Sequence, residues 1–195
     1  MFKTGDILLF HEYPRNICFA ILDWGIRCVT NSKYSHAGMV IVDPPWTKPG
    51  VYVWDSSKHV YPDPQDHKIK FGIAIVPINS YMEDRTVQIF KRAPVNNETY
   101  ALFSKEALEN IHDNVYGKPY DISATTWMTG FFNYFVPRTT DRFVCSAFVT
   151  YALTVVGVLS PNTEWSTVTP AQLSVDGTSL YWDHEYGPDM LVTLS

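Results

Sequence analysis

The chain has 195 residues, which at roughly 150 residues per domain reads as a single domain, 1–195. Hydrophobic residues make up 46% and charged residues 18%, a globular balance that excludes an intrinsically disordered chain, because enough apolar surface is available to offset the ordering entropy. With 15 Lys plus Arg against 20 Asp plus Glu, the formal net charge of −5 removes the usual electrostatic footprint of nucleic-acid binding, so no nucleic-acid partner is expected.

Along the chain, the apolar run Asp6–Phe10 (DILLF) after Gly5 suits a buried strand. Ile17–Val29 has helical length and a half-buried pattern. Tyr34–Val42 (YSHAGMVIV) grows β-branched toward its end and stops at Asp43-Pro44-Pro45, a strong breaker. Val51–Asp55 (VYVWD), Phe71–Ile78 and Val87–Phe90 read as three more strands, with loops at Pro62-Asp63-Pro64 and Asn79–Glu83.

The pattern then turns helical. Tyr100, Phe103, Ala107, Ile111 and Val115 recur every three to four residues, which predicts one amphipathic helix over Thr99–Tyr116, ended by Gly117-Lys118-Pro119. Phe143–Val158 predicts a second helix, apolar nearly all round and therefore central, with Thr140 or Asp141 as its cap and Gly157 with Pro161 at its end. Strands first and helices later imply an α+β fold with an antiparallel sheet.

The cysteines Cys18, Cys28 and Cys145 are odd in number and irregular in spacing, which argues against a disulfide framework and a four-ligand zinc site. No signal-peptide pattern opens the chain, and the charge-free stretch from Phe143 to Thr163 falls short of a membrane span. The expectation is three free thiols in a reducing, cytoplasmic setting (the host cytoplasm or virion for a viral chain). No feature of the sequence reports oligomeric state.

Three residues could do chemistry together. Cys145, in RFVCSAFVTYAL, falls in the first turn of the predicted central helix, where backbone N–H groups favour an anion and could hold an oxyanion. Arg138 and Arg142 favour the thiolate and Asp141 opposes it. Read alone, Cys145 is an inert core thiol. His36, on the strand face shared with Gly38, Val40 and Val42, is the best candidate base, with His11 and His59 behind it. The absent side chain of Gly38 leaves room beside the imidazole for another backbone or a substrate. Asp55, at the end of VYVWD, can orient the imidazole if its strand pairs beside Tyr34–Val42; read alone it is an ordinary strand-ending Asp. Each of the three supplies what the next requires.

TGDILLF, YSHAGMVI, VWDSS, FVCSAFVTYAL and TPAQL together resemble the circularly permuted papain-like proteins of the NlpC/P60 superfamily, in the YaeF/YiiX-like branch that has poxvirus members and is akin to lecithin retinol acyltransferases. The likeness spans Gly5 to Leu173, and SHAGMV and VCSAFV are its specific parts. It implies a small antiparallel sheet or open barrel packed on helices. By the same likeness His36 is the base, Cys145 the nucleophile and Asp55 the third polar residue. The family's third residue is commonly Glu or His, so Asp55 departs from the pattern, and the role falls to His59 if the shorter carboxylate does not reach. Asp6 matches a structural position.

The activity implied is a cysteine-dependent hydrolase of the amidase or peptidase type, working through a thioester with a His-Asp-Cys triad, no cofactor and no metal. Its partner is an amide- or ester-bearing substrate, peptide or lipid. Two rivals stand beside it. One is a lipid acyltransferase or phospholipase, suggested by the aromatic content and by FFNYFV at Phe131–Val136, a run that reads first as core or lid packing and second as a pocket wall or membrane contact. The other is a non-catalytic binding module that retains the fold.

Overall fold

In a computed structural model, residues 1–12, 33–84, 86–121, 141–177 and 179–193 are described. The predicted helix Ile17–Val29, the thiols Cys18 and Cys28, Arg138, Thr140 and the run Phe131–Val136 lie outside them. The fold is α+β. Six strands, β1 (Ile7–Glu12), β2 (His36–Val42), β3 (Val51–Lys58), β4 (Phe71–Pro77), β5 (Val87–Arg92) and β6 (Met190–Leu191), form one sheet in the order β4-β3-β2-β1-β5-β6. Every neighbouring pair runs antiparallel.

Period-two alternation sorts the strand residues between two cores. Ile7, Leu9, Ala37, Met39, Ile41, Trp54, Ile73 and Ile75 face the larger core, against helices α3 (Lys105–Val115) and α4 (Cys145–Val155). Leu8, Phe10, Val40, Val53 and Ile89 face a smaller one, closed by Ile78 of the short helix α1 (Ile78–Met82). Helix α4 is buried from Cys145 through Thr150, as its all-round apolar sequence implies.

Four differences from the sequence reading have local causes. The segment Asn79–Glu83 is not a loop: α1 forms there directly after Pro77, which ends β4. The helix predicted over Thr99–Tyr116 is two, α2 (Asn97–Ala101) and α3. The N–H groups of Leu102 and Phe103 bond back only three residues, to the Thr99 and Tyr100 carbonyls, which tightens and closes α2. The chain then extends at Ser104, whose hydroxyl caps Ala107 at 3.2 Å, while Asn96 caps α2 through Thr99 at 2.8 Å. Finally, α4 starts at Cys145 rather than Phe143, because Phe143 is engaged in a β-bridge with Tyr120; its N-cap is Val144, and the expected Asp141 is exposed instead. At its far end Gly157 adopts φ 84° and Val158 donates to the Leu153 carbonyl, the left-handed stop foreseen for that glycine. Among the described residues no helix is long and apolar enough to cross a membrane.

Candidate active site

The register of β2 against β3 decides where the polar residues meet. Met39 pairs with Trp54, so one position further on Gly38 lies opposite Asp55, and His36 is the diagonal neighbour on the same face. The space left by Gly38 is not open to substrate. A Cβ there would stand 2.7 Å from Val53 Cγ1 and 3.3 Å from Asp55 Cβ, so the missing side chain is what lets Asp55 lean toward the imidazole. The short carboxylate does reach: His36 Nε2 and Asp55 Oδ2 are 2.6 Å apart.

The imidazole is held on its other sides by aromatic contacts. Phe10, its partner on β1, packs on it at 5.0 Å between ring centres, and Tyr81 of α1 packs on Phe10 at 5.1 Å. The Tyr81 hydroxyl also donates to Asp55 Oδ2 at 3.0 Å. Nothing in NSYMED marks Tyr81 in the sequence; only the fold, by placing α1 beneath the smaller core, brings it to a carboxylate 26 residues away.

Cys145 arrives from the opposite end of the chain. Its helix start is tied to β3 by Ser56, whose hydroxyl donates to the Phe143 carbonyl at 2.7 Å. A second tie runs through the crossing segment Pro119–Asp121: Phe143 donates to the Pro119 carbonyl and Asp121 to the Phe143 carbonyl, while Tyr120 donates to Phe71 on the β4 edge. The N-cap of α4 is Val144, whose side chain cannot cap the first turn. The thiol is free and buried, and it acts on the His36 imidazole, raising it. Because Nε2 is engaged by Asp55, Nδ1 is the ring nitrogen left to meet a thiol.

Charge follows the geometry. Burial pulls the His36 imidazole down, but the charge of Cys145, the hydrogen bonds to Asp55 and Cys145 and the charge of Asp55 outweigh it and hold it well above the ordinary histidine range. Burial pushes Asp55 up, yet the charge on His59, the bond and charge of His36 and the Tyr81 bond leave it below the ordinary carboxylate range. Tyr120, a residue the sequence did not flag, has a raised phenol, first from burial and then from the charges of Cys145, Asp121 and Asp55, which places it beside the same centre.

The structure joins His36 to Asp55, and Cys145 acts on the same imidazole. His59 is buried nearby but does not take the third position; it lies on the far oxygen of Asp55, at 3.7 Å, and bonds the Gly72 carbonyl at 2.9 Å. His11 sits on β1 opposite Gln88, His112 bonds Gln65 and stacks on Trp46, and His184 contacts Thr99. Asp6 is structural, taking the Tyr100 hydroxyl at 2.8 Å and the Lys3 N–H at 3.0 Å.

No family model and no curated protein matches the chain. Among the described residues no group of three or more His, Cys, Asp or Glu side chains could hold a metal ion.

Chemically, the cluster is a thiol in the first turn of a helix, an imidazole whose charge responds to that thiol, and a buried carboxylate that fixes the ring. Helix N–H groups lie where negative charge would develop. The His36 side chain keeps 12% of its surface in contact with solvent.

Proposed function

We propose that the chain is a cysteine-dependent acyl-transfer enzyme of the permuted papain-like type, hydrolysing an amide- or ester-bearing substrate. The observation that carries this reading is the 2.6 Å bond that joins a buried Asp55 carboxylate to the His36 ring, on an imidazole that the Cys145 thiol also influences. A structural histidine needs one partner; an imidazole with a buried carboxylate on one side and a thiol on the other has the arrangement that acyl transfer uses.

In this mechanism His36 takes the Cys145 proton, and the thiolate sulfur attacks the substrate carbonyl carbon, whose π electrons move onto oxygen. That oxyanion lies against the first N–H groups of α4. Its collapse breaks the bond to the leaving amine or alcohol, which takes the proton from His36, and leaves a thioester on Cys145. His36 then removes a proton from water, the hydroxide attacks the thioester, and Cys145 leaves as thiolate. Asp55 accepts a hydrogen bond from Nε2–H throughout, so Nδ1 stays aimed at sulfur.

The test is alkylation of Cys145 by iodoacetamide between about pH 4 and 9, followed on the Cys145 peptide by mass spectrometry in wild type and His36→Ala. The expected result is reaction that persists into the mildly acidic range and disappears in the variant. Reaction that ignores His36 refutes the catalytic reading and leaves a binding module. Release of amine from peptides or of fatty acid from vesicles then assigns the acyl donor.

A further inference from the structure

Asp55 is fully buried, and its two oxygens are treated unequally. Oδ2 receives both His36, at 2.6 Å, and the Tyr81 hydroxyl, at 3.0 Å. Oδ1 is buried with no hydrogen-bond partner among the described residues. An orphaned carboxylate oxygen in a protein interior is costly and calls for a compensating charge. The group that faces it is His59, with Nε2 3.7 Å away and a side chain only 1% exposed.

His59 is itself firmly placed. It lies one residue past β3, its backbone N–H donates to the Lys70 carbonyl, and Nε2 donates to the Gly72 carbonyl at 2.9 Å. Ser57 Oγ lies 3.4 Å from Nδ1. That carbonyl cannot drift, because Gly72 sits at φ 147° with the crossing segment against it: a Cβ there would be 2.3 Å from the Lys118 carbonyl oxygen. The imidazole therefore stands at a fixed distance from Oδ1, too far for a hydrogen bond and close enough for strong charge interaction.

We propose that His59 is a positioning residue, a second imidazole that keeps Asp55 a carboxylate while His36 passes its proton through the reaction. The inference rests on the acyl-transfer reading for its role. When His36 hands its proton to the leaving group, Asp55 loses its nearest positive charge inside a dry site. Without a second partner the carboxyl would take up a proton or turn away, and the ring would lose its orientation. The groups facing Asp55 are His36 from β2, His59 from the end of β3, Tyr81 from α1, Tyr120 from the crossing segment, and Cys145 of α4 through His36. Of these only the two imidazoles can carry positive charge. The charge on His59 is also the largest influence that lowers the Asp55 carboxyl.

His59→Gln separates charge from scaffold, since its amide can still donate to Gly72, whereas His59→Phe removes both. Loss of the charge raises the Asp55 carboxyl, so on acidification the carboxylate is lost sooner. The acid limb of Cys145 alkylation in His59→Gln moves up by about one pH unit, at the low end of what a charge at this distance delivers. A second reading does not depend on catalysis: carbon NMR titration of Asp55 in Cys145→Ser, with and without His59→Gln. The carboxyl titrates higher without His59. An Asp55 titration that is the same in both overturns the inference, whatever the alkylation shows. If the carboxyl moves but Cys145 reacts independently of His36, the acyl-transfer reading fails while the electrostatic hold of His59 on Asp55 stands.

Discussion

Gly38→Ala tests the packing that the candidate site depends on. The added Cβ would meet Val53 Cγ1 at 2.7 Å and Asp55 Cβ at 3.3 Å, whereas carbon atoms rest at about 3.5–4.0 Å. About 1 Å of clearance must be found on the Val53 side and a few tenths on the Asp55 side. Val53 cannot swing aside cheaply, because it is β-branched and fully buried in the smaller core. Overpacking of this size costs about 1–3 kcal/mol. In a chain of this length that lowers the melting temperature by about 2–12 °C.

The same displacement pushes Asp55 relative to His36, whose bond at 2.6 Å has no slack. Alkylation of Cys145 at mildly acidic pH should fall by more than the stability loss explains, up to about 100-fold for a shift approaching 1 Å. The control is Val53→Ala in the same background. It removes Cγ1 and so restores part of the stability, with a coupling energy of about 1 kcal/mol in the double-mutant cycle. It leaves the 3.3 Å contact to Asp55, so reactivity recovers less than stability does. Thermal melts of the four proteins and their Cys145 alkylation rates decide the matter. If Gly38→Ala melts within about 1 °C of wild type, or if the two substitutions are simply additive, the claim that Gly38 exists to admit Val53 and Asp55 is wrong.

Two further outcomes are expected. His36 is raised in the folded protein, so its contribution to stability is complete below about pH 6.5 and is lost as pH rises through the folded value. Asp55 is lowered, so its contribution is complete above about pH 4 and is lost as pH falls through the folded value. Both contribute fully between those limits, and melting temperatures from pH 4 to 9 should show the gap between wild type and His36→Gln narrowing on the alkaline side; a constant gap contradicts the assignment. Ser104→Ala removes the hydroxyl that caps α3 and should cost about 1 kcal/mol by urea unfolding, while Ser104→Asp retains most of it. Equal stability of all three would mean that the α2–α3 break has another cause.

The strands were legible because each is a short apolar or β-branched run bounded by a breaker, and β1 to β5 all lie where those runs fall. Their ends were less so: β3 continues through Ser56 to Lys58, polar residues held by full pairing with Phe71–Ala74. The break between α2 and α3 was hidden because the apolar spacing from Tyr100 to Val115 runs straight across it; what divides the helix is the three-residue bonding of Leu102 and Phe103 and the cap that Ser104 makes on Ala107. Of the candidate site, Cys145, His36 and Asp55 could be named only as a set, because each read alone is an ordinary structural residue and each supplies what the next requires. Tyr81, Tyr120 and the true place of His59 could not, because each is defined by a tertiary contact with Asp55 or Cys145 and carries no local signature.

The alternation along β3 joins these observations. Asp55 and Ser56 are consecutive, so their side chains leave the strand on opposite faces. Asp55 points with Val53 to the smaller core and takes His36; Ser56 points with Trp54 to the larger core and donates to the Phe143 carbonyl, two residues before Cys145. One dipeptide thus fixes both the imidazole and the start of α4. A one-residue slip of β3 against β2 would exchange the two faces, bury Trp54 in the wrong core and send the carboxylate away from His36. Fold and site are therefore coupled through a single register. Substitutions at the exposed ends of β3 and β4 that keep this register should leave the His36–Asp55 bond intact.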